Sequence, residues 1–166
     1  MDSEHPTIKV VVSDGSEIEL ESKVARASTL IAQVWDDQED KSEPVAIPNV
    51  TREILAKVEE FIKKHLEDPL PEIEKPLKTN KLSDVIPEWY GQYIEGMDVD
   101  TLYEVILAAN YLNVKDLLEL GCAQVAALMR GKTIQEIRDL FHIENDFTPE
   151  EEAQIREENR WAEEAI

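Results

Sequence analysis

Three histidines and one cysteine are the side chains of this protein best suited to metal binding or bond chemistry, and none has company at a useful spacing. His142 and Glu144 share the His-x-Glu spacing of a zinc deaminase site, but the Cys-x-x-Cys that would complete the ligand set is absent. His5 and His65 are isolated, and His142 reads as a surface or helix-capping residue. Asp98-x-Asp100 and the acidic run 36–43 offer oxygen ligands without the sixth-position glycine of a calcium-binding loop, so they read as solvated charge. Glycines 15, 91, 96, 121 and 131 are dispersed, which leaves no phosphate-cradling loop. Cys122 lies in the apolar run Leu117-Leu118-x-Leu120-x-Cys122-x-x-Val125 and is expected in a core, not as a nucleophile. With 37 carboxylates in the chain, adjacent acids carry no information about acid–base catalysis. The expectation is no catalytic residue, no metal site and no cofactor.

At 166 residues the chain suits one compact domain with an appendage, which would bury roughly 70% of its unfolded surface without a disulfide or metal. Its formal charge of −20 repels phosphates and anionic headgroups. Nucleic acid and membrane surfaces are therefore not expected partners, and basic protein faces are favoured. A single cysteine excludes an intramolecular disulfide and points to a reducing compartment. No apolar run approaches the roughly 20 residues of a membrane span. The start, Met-Asp-Ser-Glu-His-Pro, lacks the basic and apolar regions of a secretory signal. A soluble, intracellular protein is expected.

The elements follow from pattern. Thr7 to Val12 is rich in β-branched residues, Asp14-Gly15 is a hairpin turn, and Glu17 to Leu20 alternates as the return strand. Ser22 is expected to cap a short helix, Ser28 to Trp35 reads as another, and 36–43 as a solvated loop. Val45-Ala46-Ile47 reads as a third strand. Thr51 is expected to cap a helix whose Ile54, Leu55, Val58, Phe61 and Ile62 share one face, ending near His65. Prolines and charges make 69–86 a loop, and Trp89, Tyr90 and Tyr93 mark a short structured return. Thr101 to Glu104, Thr133 to Glu136 and Thr148 to Glu151 all fit the capping box, in which threonine and glutamate satisfy each other's backbone donors. Pro149 stands at a first helical position, and Gly131 suits a helix end.

The last helix, from Pro149 towards Ile166, is the informative one. Its sizeable apolar residues are only Ile155, Trp161 and Ile166, and residues 144–166 carry nine acidic against two basic groups. So polar a helix gains little by packing on its own domain and is marginal in water. It is either frayed or ordered by a partner. Phe141, Ile143 and Phe147, dense in a short segment just upstream, favour the partner.

At these residues the sequence resembles a known family. Thr101-Leu-Tyr-Glu-Val-Ile-Leu-Ala-Ala-Asn-Tyr-Leu-Asn113, Gly131-Lys-Thr, Asn145-Asp-Phe-Thr-Pro-Glu-Glu-Glu152 and Ile155-Arg-Glu-Glu-Asn-Arg-Trp161 are similar to the Skp-type adaptors of SCF ubiquitin ligases. Ser13-Asp-Gly15, Ile47-Pro-Asn-Val50 and His65-x-x-Asp-Pro69 extend the likeness, which looks fungal or protist. The resemblance implies an α+β BTB/POZ fold, a small three-stranded sheet with helices over 1–130, followed by F-box-binding helices over 131–166. It implies a non-enzymatic bridge between a cullin and the F-box of a substrate receptor, with a RING subunit and ubiquitin-conjugating enzyme as indirect partners, in cytoplasm and nucleus. By motif, Asn110 and Tyr111 would face the cullin. Leu118, Val125, Ile137, Phe141, Ile143, Phe147 and Trp161 would line the F-box surface. In some protist relatives the proline matching Pro149 is hydroxylated and glycosylated, which makes it the candidate modification site. Free relatives sometimes form weak homodimers, and some serve as structural F-box partners outside ligases, as in kinetochores. Two positions depart from the usual pattern: Phe61 stands where many members carry tryptophan, and Trp89-Tyr90 replaces a Trp-Asp pair.

Overall fold

The computed structural model describes residues 6–163, and His5 and Ile166 lie outside them. β1 (Thr7–Val11) and β2 (Glu17–Glu21) form an antiparallel hairpin with Val10 opposite Ile18. Gly15 closes the turn at φ +83°, a conformation that a Cβ would strain. β3 (Val45–Ala46) adds parallel to β1 on the other edge, giving the order β2-β1-β3. Alternation along β1 sends Ile8 and Val10 into the core and Lys9 to solvent.

α1 (Ser22–Ala25) follows β2, and here the expected cap fails: Glu21 occupies the cap position, no side chain caps it, and Ser22 is already helical and buried. Ser28, expected as the first residue of a helix, instead caps α2 (Thr29–Asp37), which runs two residues into the acidic stretch. Lys41 from that stretch folds back, its amine 5.3 Å from the centre of the Trp35 ring. Thr51 caps α3 (Arg52–Glu67), whose Ile54, Leu55, Val58, Phe61 and Ile62 are all buried on one face. Each such side chain contributes about 1.5–3 kcal/mol through burial.

The loop after α3 is more than a solvated connector. Leu70 donates its N–H to His65 Nδ1 at 3.0 Å, Ile73 is buried and Leu77 half-buried. Arg130 Nη1 donates to the Leu77 carbonyl at 2.7 Å, and a 3₁₀ turn at Leu82–Asp84 closes the segment. α4 (Glu88–Glu95) then brings up an aromatic cluster. Tyr90 is fully buried, edge-on to Phe61 at 5.8 Å between centroids, and its hydroxyl donates to the Asp68 carbonyl. Tyr93 stacks on Trp89 and donates to the Lys57 carbonyl at 2.7 Å. Burial pushes both phenols above the usual tyrosine range. The two departures noted in sequence thus meet: the Phe61 ring is packed by the tyrosine that stands in the Trp-Tyr pair.

α5 (Val99–Leu112) and α6 (Lys115–Met129) pack against each other, and α5 also against α3. α5 starts earlier than its threonine implies. Asp98, not Thr101, is the cap, accepting the Thr101 N–H at 2.7 Å, because the helical pattern extends one turn back from Thr101. The chain then passes Gly131 at φ +73° into an arm: α7 (Ile134–Phe141), α8 (Pro149–Glu158) and α9 (Arg160–Glu163). Thr133 and Thr148 form complete capping boxes with Glu136 and Glu151. The last helix is not continuous. Asn159 interrupts it, its side-chain amide donating to the Ile155 carbonyl at 2.8 Å.

Candidate protein-interaction surfaces

α6 carries its buried residues, among them Leu117, Leu120 and Ala127, on the side facing α5 and the core. Its other side is apolar and open. There Cys122 is exposed, against the expectation that it is core: it stands three residues beyond the exposed Glu119 and shares that outer side of the helix, which the surrounding leucines masked. Two grooves flank this open ridge. The first, about 820 Å³, runs between α6 and the segment 73–77, with Leu118, Cys122 and Met129 on the helix side and Ile137 at its end. The second, about 650 Å³, lies between α6 and the start of α5, lined by Tyr103, Ile106, Val125, Ile137, Phe141 and Ile143.

α7 is amphipathic yet has no fully buried residue. Its Ile137 borders both grooves and Phe141 the second. His142 ends the helix in the left-handed region at φ +55°, and the Ile143 N–H returns to the Arg138 carbonyl at 2.9 Å, the bonding of a helix C-cap. This fulfils the capping alternative for His142. α7 and α8 are joined by polar contacts. Glu152 accepts from Arg138 at 3.1 Å, from Asn145 at 3.4 Å and from Arg156 at 3.1 Å. The Arg138 hydrogen bond, then that of Asn145, holds the Glu152 carboxyl below the usual glutamate range. Pro149 is exposed at the first position of α8, followed by three glutamates that complement the helix dipole.

The structure therefore brings Leu118, Val125, Ile137, Phe141 and Ile143 together around α6. Phe147 and Trp161 border neither groove; they stand exposed farther along the arm, Trp161 at 71%. Asn110 is exposed and Tyr111 half-buried on α5, one turn beyond Leu107, which is 51% exposed. Tyr103 and Leu107 escaped the sequence reading because α5 is apolar around most of its circumference, and Met129 because the C-terminal half of α6 is rich in apolar residues too. The groove wall at Ile73 to Leu77 escaped it because proline and charge masked two apolar anchors. Among the described residues no three His, Cys, Asp or Glu side chains converge as a metal site would need, and no helix is long and apolar enough to cross a membrane.

Residues 6–67 match the tetramerisation domain of the Skp1 family, and residues 115–162 match that family's dimerisation domain. A Tetrahymena thermophila protein named S-phase kinase-associated protein 1 homolog is 48% identical over 99% of each chain. A protein of Aspergillus flavus named E3 ubiquitin ligase complex SCF subunit sconC is 45% identical over 95% of this chain and 97% of its own. The SCF ubiquitin ligase complex protein SKP1a of Dictyostelium discoideum is 42% identical over 94% and 95%. These relatives are protist and fungal, as the motifs indicated, and the α+β POZ-type fold accords with the small sheet and its helices. On this similarity along nearly its whole length, the chain belongs to the Skp1 family.

Proposed function

We propose that this protein is the adaptor of an SCF E3 ubiquitin ligase, joining a cullin scaffold to F-box substrate receptors and performing no bond chemistry itself. Its contribution is positioning: a receptor held beside the ligase raises the effective concentration of substrate near the ubiquitin-charged enzyme. The observation that carries the reading is family membership combined with an apolar, grooved surface around α6 and α7 that the protein's own arm leaves open. The F-box occupies that surface, reaching Leu118, Val125, Ile137, Phe141 and Ile143, with Phe147 and Trp161 closing over it from the arm. The cullin reads α5 through Asn110 and Tyr111. The RING subunit and conjugating enzyme are reached through the cullin, and cytoplasm and nucleus are the compartments. Neither nucleic acid nor membrane takes part.

The test is a pair of affinity measurements on the full chain. Trp161→Ala should weaken F-box binding on the order of 2 kcal/mol, as an exposed aromatic anchor would, and leave cullin binding intact. Charge-introducing replacements of Asn110 and Tyr111 should do the reverse. Loss of both affinities together with a lower melting temperature would make those residues structural and overturn the assignment.

A further inference from the structure

The groove between α6 and the segment 73–77 is a place where local charge opposes the sign of the whole molecule. Its floor is apolar, but Lys75, Arg130 and Lys132 stand on its rim against one acid, Glu119. Lys75 lies 4.0 Å from Glu119, and Arg130 is fixed by its hydrogen bond to the Leu77 carbonyl. Arg130 and Lys132 meet no carboxylate among the described residues, in a chain where acids outnumber bases 37 to 17. The neighbouring groove has the opposite rim: Asp100 borders it and no lysine or arginine does. The segment that supplies Lys75 is itself held in place, by Leu70 on His65, by the buried Ile73 and by Arg130 on Leu77.

From this arrangement we infer that the segment 73–77 is a wall of the partner site, and that its groove takes an amphipathic helix of the F-box partner whose apolar ridge is flanked by carboxylates. The inference rests on the adaptor reading above. A field of −20 repels an acidic partner from most approaches, and three cations around an apolar floor reverse that locally. Rim charges of this kind set encounter rate and register more than depth of binding. The two grooves, cationic on one side of α6 and anionic on the other, therefore fix which way round the partner sits.

The experiment is titration of the full chain with a recombinant F-box domain, comparing the Lys75→Glu/Lys132→Glu protein with a control of equal charge change, Lys9→Glu/Lys23→Glu, on β1 and α1. All four side chains are exposed, and Lys75, Lys9 and Lys23 each give up one exposed ion pair, so both proteins should lose a little melting temperature and by similar amounts. The expected result is affinity lowered on the order of tenfold by the groove pair, mainly through slower association, with the control unchanged. Equal losses from both pairs, or no loss from the groove pair while Ile137→Asp abolishes binding, would overturn the cationic wall and leave the adaptor surface standing. Undiminished binding by every variant, Ile137→Asp included, would overturn the adaptor surface and this inference with it.

Discussion

α3 and α7 are both amphipathic, yet α3 buries five apolar residues and α7 buries none. The difference lies in what each helix has to pack on. α3 meets α5 and α1, whereas α7 touches the body mainly at α5. The body is thus stabilised by burial, and the arm by local devices: two capping boxes, a proline at a helix start and a charged network on Glu152. Helices of 8 and 10 residues are marginal in water on such terms. An apolar face held in place but left uncovered is what a binding surface needs, so the weak packing of the arm and its role are one property.

The contrast can be broken most directly in the core. Leu120 is fully buried, and Leu120→Ala should cost about 2–5 kcal/mol, read as a lower denaturant midpoint. Phe147→Ala in the arm should leave that midpoint in place; equal shifts would make arm and body a single cooperative unit. A smaller loss is expected from Gly91→Ala, because its Cβ would sit 2.8 Å from the Ser83 Cα, a backbone atom that cannot swing aside. About 1–3 kcal/mol should go, measured by thermal melting. Thr148→Ala removes one capping box, about 1 kcal/mol, and should speed amide exchange across α8 without moving the main transition.

The finest test is pH. Glu152 titrates below the ordinary glutamate value because Arg138 and then Asn145 stabilise its charged form. Its contribution to arm order is complete above that ordinary value and is lost as pH falls through the depressed one. Exchange protection of α7 and α8 should accordingly be flat near neutrality and decline only in acid, and Glu152→Gln should weaken the dependence.

Much of the body was legible from pattern. The Asp14-Gly15 hairpin, the face of α3 and its Thr51 cap stand where local chemistry put them, as do the caps of the arm at Thr133 and Thr148. Errors arose where two local signals competed. Asp98 won the cap of α5 over Thr101, and Asn159 broke a helix that composition would have continued. In the candidate site, motifs named five residues that the grooves bring together, but did not place Tyr103, Cys122 or Met129 beside them.

What the sequence determined by itself is the local part: turns need particular backbone angles, caps need particular side chains, and amphipathic periods need one wet and one dry face. Those preferences act over a few residues and do not depend on the rest of the chain. Only the tertiary structure decided which side of the apolar helices α5 and α6 is covered. It also decided that a proline-rich loop, anchored by Ile73 and by Arg130, would wall a groove against α6. Burial is a property of what packs on a residue, and helices apolar on nearly every side carry no record of it.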